Sequence, residues 1–439
     1  MGKMGGELLA TVILLGFIIH ASTQAPPGGG GGGNNNPDPL DIVFFQGFNW
    51  ESWKSGSWYN VLEGAAKEIA GAGITDVWFP PPSQSVGPQG YLPGKLYDLD
   101  ESKYGTSSEL RQAVQAFHQN GVGCVCDIVI NHRTGSKQDD KGNWCIFEGG
   151  TDDDRLDWGA WAIPVNDKPY SCGTGNADTG KDYEAAPDVD HTNPRVQSEL
   201  SEWMKWLMSD IGFDGWRFDF ARGYAGNFLS MYIQNTTPSF AVGEVWDTLN
   251  FGNGGENAHR QGLVDWVHST ADSSAAFDFT TKGILQLAVQ NNELWRLRDS
   301  NGKPSGMIGV LPEKAITFID NHDTGSTQNL WPFPPDKLMQ GYAYILTHPG
   351  VPTIFYDHFQ DTNLKGGIKQ LIEIRKRNQI KANSACTIIT AESDLYMANI
   401  EDKVIMKIGA RYDVGKYLPS KDFQLTASGN DYVVWERKT

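Results

Sequence analysis

The chain has 439 residues, a formal charge of −17, 39% hydrophobic residues, 50 glycines and 15 tryptophans. That acidity argues against nucleic-acid backbones and anionic membrane surfaces as partners. The length exceeds one ordinary compact domain but suits a barrel with appended pieces.

The N-terminus carries Lys3, an apolar run from Leu8 to Ile19, then the small residues Ala21, Ser22 and Ala25. Because the run is short for a bilayer span, residues 1–25 read as a cleaved secretory signal of a secreted protein, with a membrane anchor as the alternative. Residues 26–40, PPGGGGGGNNNPDPL, form a low-complexity spacer that cannot build a core. Strand-like runs follow at Ile42–Phe45, Asp76–Phe79, Val122–Ile130, Gly215–Phe220, Phe240–Gly243, Ala276–Phe279, Ala315–Ile319 and Val351–Tyr356. Helix-like segments, with apolar residues recurring at three and four, lie between most of them: Tyr59–Ala70, Ser107–Asn120, Arg195–Asp210, Asn227–Gln234, Gly283–Arg298 and Lys337–Leu346, with Lys365–Arg377 after the last strand. This alternation predicts an α/β fold, a (β/α)8 TIM barrel. The rhythm breaks between Asn131 and Pro194, where an inserted loop domain is expected. After about Ala382 five short strands predict a small C-terminal antiparallel β-sheet domain. The division is therefore barrel 41–130, inserted domain 131–193, barrel 194–382 and C-terminal domain 383–439.

The five cysteines, Cys124, Cys126, Cys145, Cys172 and Cys386, are odd in number and irregularly spaced, which implies no disulfide framework. Cys124 and Cys126 fall on one buried strand as small core residues. From Glu148 to Asp190 there are eleven acids against three bases, a local charge of −8 inside the inserted segment.

Catalytic groups of a barrel sit at the C-terminal ends of its strands. Here the third strand ends in Asn131-His132, the fourth in Asp219, the fifth in Glu244 and the seventh in Asn321-His322-Asp323. On the fourth, Gly215-Trp-Arg-Phe-Asp-Phe220, Arg217 and Asp219 share one face, because positions i and i+2 of a strand point the same way. On this stretch alone a nucleophile held ionised by Arg217 and a structural ion pair stay equally open. Together, three carboxylates with two histidines and an arginine suit hydrolysis of a glycosidic bond.

DIVINHR, GWRFDFARGY, GEVWD and FIDNHD closely resemble the four signature segments of the α-amylase family of glycoside hydrolases. FQGFNWESW, PPPSQSVGPQGYLPGKLYDLD, CIFEGG, FDFTTKGIL, NHDTGSTQNLWPFP and QGYAYILTHPG extend the resemblance to its plant, cereal-type members from Ile42 to Trp435. The resemblance implies an endo-acting, retaining hydrolase of internal α-1,4 bonds of starch and malto-oligosaccharides. Asp219 would be nucleophile, Glu244 acid/base and Asp323 transition-state stabiliser, with Tyr91, His132, Arg217, His322 and Trp246 binding substrate. It further implies structural Ca2+, three ions in all. One would take Asn131, Asp178, Asp188 and the carbonyls of Lys181 and Gly223; a second Glu148, Thr151, Asp153 and Asp157; a third Asp167, Asp182, Asp188 and the carbonyls of Tyr183 and Ala186. A monomer is expected, without nucleic-acid or membrane partners, and a proteinaceous amylase inhibitor is a further expected partner. Two departures stand out: Val310-Leu311 where cereal-type relatives carry paired tryptophans for granule binding, and a short Leu249–His259 loop.

Overall fold

The computed structural model describes residues 38–438 apart from 169 and 171, so the expected signal and most of the spacer lie outside the described residues. The end of that spacer is folded, which corrects the sequence reading. Asp38 caps a 3-10 turn at Pro39–Asp41 by accepting the Leu40 N–H, and Lys381 ties down both Asp38 and Asp41.

Eight short parallel strands close into a barrel: β1 (Phe44–Gln46), β2 (Asp76–Phe79), β3 (Gly123–Ile128), β4 (Gly215–Phe218), β5 (Phe240–Gly243), β6 (Ala275–Phe277), β7 (Ala315–Thr317) and β8 (Val351–Phe355). Each pairs with its sequence neighbours, and β1 pairs β8. Side chains alternate across each strand. In β4, Trp216 points out to the helical layer, where its indole N–H donates to Thr236, while Arg217 faces inward.

The outer helices are α1 (Trp58–Gly71), α2 (Ser107–Gln119), α3 (Pro194–Trp206), α4 (Gly226–Thr236), α5 (Gly255–Ser269), α6 (Phe279–Asn291), α7 (Leu338–Thr347), the short α8 (Tyr356–Gln360) and α9 (Thr362–Arg377). Their starts follow capping chemistry. Thr106 and Glu109 form a reciprocal box at α2, satisfying two otherwise orphaned N–H groups. α1 buries Leu62, Ala66 and Ile69 at helical spacing; each such apolar side chain contributes about 1.5–3 kcal/mol. α3 runs on through a π-turn to Ile211 and stops at Gly212, whose φ of 100° suits glycine. The sequence reading missed α5, which occupies the second half of the expected Leu249–His259 loop. Only Leu263 and Val267 of α5 are fully buried, so its apolar stripe is thin.

Between β3 and α3 the chain forms a small hairpin (Lys137–Gln138 with Trp144–Ile146), a 3-10 turn and long irregular stretches. Arg133 organises them from within. Its guanidinium donates to the carbonyls of Gly94, Leu156 and Glu148 and lies over the rings of Trp158 and Phe147. After the barrel, β9 (Cys386–Ala391), β10 (Tyr396–Ile400), β11 (Val404–Ile408), β12 (Phe423–Gly429) and β13 (Tyr432–Arg437) form an antiparallel sheet in the order β9-β10-β11-β13-β12. It packs on α7 and α9, and Arg377 grips Glu436 across that junction. All five cysteines are free thiols.

Candidate active site

Arg217 is the hub of the C-terminal mouth of the barrel. It is 1% exposed, and its guanidinium lies between the rings of Trp78 and Tyr91. Nη1 donates to Asp127 Oδ1 and Asp219 Oδ1, both at 2.8 Å, and Nη2 stands 3.0 Å from Glu244 Oε2. Strand register sets this up. Asp127 on β3 pairs with Arg217 on β4, and Phe218 pairs with Gly243, so Asp219 and Glu244 leave adjacent strands together. Phe220 then turns into the left-handed region at φ 41°, a strained conformation for a bulky residue, which aims its N–H at Glu244 Oε2, 3.1 Å away.

Asp219, Glu244 and Asp323 line one cleft of about 570 Å³, with Trp50, Tyr91, Tyr183, Phe220, Arg222, Trp246, Asp247, His322 and Gln328 around them. Trp50, Tyr91 and His322 form a triangular cluster of near-parallel rings, Tyr91 to His322 at 5.2 Å and Trp50 at 6.1 Å from each. Trp246 stacks on Phe279 on the other side. Flat faces of this kind match the apolar faces of sugar rings. The Gln46 amide nitrogen is 2.8 Å from His322 Nδ1, which leaves Nε2–H to point toward Asp323 Oδ2 at 3.2 Å. Burial, aided by Arg217, holds His322 neutral, well below the ordinary imidazole range.

His132 sits just beneath the cleft surface. It is fully buried, its Nε2–H donates to the Tyr91 carbonyl at 2.8 Å, and its ring stacks on Tyr183 at 3.6 Å. Burial pushes it down to about 4, so it is a neutral prop for two cleft aromatics.

One arginine serves four carboxylates. Burial raises Asp219, Glu244 and Asp323, and Arg217 opposes it in each. Asp219 is thus raised, not held in the low range that the ion pair alone suggested. Asp219 has the arginine as direct donor, whereas Glu244 also feels Asp219, and Asp323 feels Glu244, Asp219 and Asp127. Burial thus holds all three above the ordinary carboxylate range, with Asp323 well above it.

The sequence reading passed over Asp127, Gln46, Trp50 and Phe220. Asp127 collects donors from Arg217, Tyr91 OH at 2.8 Å and Trp78 Nε1 at 3.0 Å. Its signal was available: it is an acid inside an apolar strand, the same anomaly that singled out Arg217.

Behind the cleft the acidic insertion gathers oxygens. Asn131 Oδ1, Asp167 Oδ1 and Asp178 Oδ2 are buried acceptors without a donor. Carboxylate oxygens of Asp167, Asp182 and Asp188 lie within 4.8 Å of one another. Burial, with Asp167 and Asp178 nearby, lifts Asp188 up to about 8. Gly223 is required here, since a Cβ would stand 1.9 Å from Asn131 Oδ1. The Lys181 ammonium turns away to Asp247, leaving its carbonyl as the only donor it could offer. Tyr183 lines the cleft with its ring, and Ala186 is buried just before Asp188. All-oxygen donors lacking partners fit a hard divalent cation. The acids of the Glu148–Asp157 set have protein partners of their own. Glu148 binds Lys137 and Lys95, Asp153 folds onto Arg155 and the Thr151 hydroxyl, and Asp157 accepts the Gly149 N–H.

Comparison with known proteins agrees with this geometry. The family description "Alpha amylase, catalytic domain" matches residues 66–237, and "Alpha-amylase C-terminal beta-sheet domain" matches 377–436. "Alpha-amylase 3, chloroplastic" of Arabidopsis thaliana is 46% identical over 90% of this chain, which spans 44% of that relative's length. "Probable alpha-amylase 2" of the same plant is 44% identical over 90% of this chain and 94% of its own. An Anoxybacillus α-amylase structure superposes with a TM-score of 0.65 at 16% identity, covering 92% of this chain and 99% of that one, a likeness of fold. The chloroplastic relative overturns the expectation of secretion drawn from the N-terminal run. With a long relative 44% identical along nearly its whole length, a matching catalytic barrel and a matching C-terminal sheet, the chain belongs to the α-amylase family of glycoside hydrolases.

Proposed function

We propose that the protein is an endo-acting α-amylase that hydrolyses internal α-1,4-glucosidic bonds of starch and malto-oligosaccharides with retention of configuration. The carrying observation is the placing of Asp219 and Glu244 on the two terminal nitrogens of one guanidinium, inside an open cleft. That side-by-side arrangement suits the separation of about 5–5.5 Å used by retaining enzymes better than the roughly 6.5–9.5 Å that admits a water between.

Asp219, held by Arg217 Nη1, attacks the anomeric carbon. Glu244, kept protonated by burial and by Asp219, gives its proton to the departing glycosidic oxygen. It then takes one from water to release the sugar. Asp323 and the Nε2–H of His322 bracket the developing oxocarbenium ion and its hydroxyls, interactions that tighten in the transition state. Trp50, Tyr91 and Trp246 supply stacking faces. Calcium would be held by two overlapping oxygen sets that share Asp188: Asn131, Asp178 and the Lys181 and Gly223 carbonyls on one side, Asp167, Asp182 and the Tyr183 and Ala186 carbonyls on the other. Bound there it supplies charge balance and ties the insertion to β3, next to His132. The Glu148, Thr151, Asp153 and Asp157 set is not proposed as a third ion site, because its acids are otherwise engaged.

The test is digestion of amylose with anomers followed by NMR. Reducing ends should rise with early loss of iodine colour, and the first-formed product should be the α-anomer. Glu244→Gln should lower kcat by about 10²–10⁴-fold. A β-anomeric first product, or chain-length redistribution without new reducing ends, would contradict the proposal.

A further inference from the structure

At the end of the barrel opposite the cleft, three side chains of metal-ligating type meet. His118 closes α2, Cys124 is the second residue of β3, and Asp214 immediately precedes β4. One ligand atom from each lies within 4.8 Å of the other two. His118 Nε2 is 2.7 Å from Asp214 Oδ2, and that oxygen also accepts the Cys124 backbone N–H at 2.8 Å. The thiol is fully buried, whereas the imidazole is partly open to solvent, so an ion has an entry path. A second buried carboxylate borders the group. Asp76 Oδ1 lies where a Cβ on Gly123 would be only 2.5 Å away, and its carboxylate accepts the Thr75 hydroxyl. Among the described residues no lysine or arginine pairs with Asp76 or Asp214, and the His118 imidazole is the basic side chain in contact with Asp214.

We propose that His118, Cys124 and Asp214 form a binding site for a borderline divalent cation of the zinc class. One nitrogen, one sulfur and one oxygen are the wrong donors for Ca2+, which takes six to eight oxygens. They are the right donors for Zn2+, in a tetrahedral site whose fourth position is left to water. Binding releases the thiol proton and the proton lying between His118 and Asp214, and the cation takes the place of both. The site stands apart from the cleft and joins the α2–β3 connection to the start of β4. Its occupant is therefore a clamp on the barrel base, stabilising the native state by mass action.

The experiment uses the calcium-saturated full chain with Co2+ or Zn2+ as the only added probe. Co2+ should bind with a thiolate-to-cobalt charge-transfer absorption, and Zn2+ should displace it and raise Tm. Cys124→Ser should abolish the charge-transfer band. His118→Gln, at a partly exposed helix end, should fold and hydrolyse starch normally while binding Co2+ at least about tenfold more weakly, since even indirect supporting groups are worth that much. Absence of the thiolate band in the wild-type protein would overturn the proposal. So would a band of undiminished affinity in His118→Gln, which would assign the metal to another cysteine. Should Cys124→Ser fail to fold, the His118→Gln result decides by itself.

Discussion

Asp127 touches no part of the cleft surface, yet it faces Arg217 across β3 and β4 and shares that arginine's Nη1 with Asp219. A hydrogen bond between charged groups is worth about 1.5–3 kcal/mol, so Asp127→Asn should lower kcat/KM by roughly 10- to 100-fold. Its pH profile gives the sharper test. The basic limb reports loss of the Glu244 proton, which Arg217 favours, and the Asp127 carboxylate offsets part of that arginine's charge. Removing that carboxylate lowers the Glu244 pKa, so the basic limb should move to lower pH; movement to higher pH would contradict this wiring. Arg217, Asp219, Glu244 and Asp323 were legible as residues, because charges at the ends of apolar strands are conspicuous. Asp127 was equally conspicuous but carried no strand-end position to flag it. The direction in which His132 faces was not legible at all, since a side chain's partner forty-one residues away is set by packing.

Single backbone positions govern the elements that deliver these groups. Gly212 stops the α3 extension at φ 100°, just before the turn that leads into β4. A Cβ there would sit in a disfavoured conformation and 3.3 Å from Val114 Cγ1. Gly212→Ala should therefore cost about 1–3 kcal/mol, read as a lower denaturation midpoint with an unchanged m-value. Unchanged stability would show that the turn adapts. The eight strands and most helices were readable because their apolar periods differ, two against nearly four. α5 escaped because its sequence, GENAHRQGLVDWVHS, lies largely at the surface and buries only Leu263 and Val267 completely, leaving too faint a stripe. Phe220 is the converse case. Nothing in its identity foretells a left-handed backbone, which only the meeting of β4 with Glu244 imposes.

At the scale of the molecule, the oxygens around Asp188 couple the insertion to the barrel. If calcium occupies them, a chelator should lower Tm and abolish activity together, and calcium at a hundredfold excess over its Kd should restore about 2.7 kcal/mol. Asp188→Asn should reproduce the chelated state in the presence of calcium, and a melting curve indifferent to chelator would rule the ions out. The sequence by itself determined the barrel, its appended sheet, the family and the three acids, because hydrophobic period, strand-end chemistry and motif are local properties of the chain. Only the tertiary structure decided which charges share Arg217, that His132 stacks on Tyr183 beneath the cleft, and which protein partners the Glu148–Asp157 acids take. Those are competitions among groups far apart in sequence, and burial and distance settle them after the chain has closed on itself.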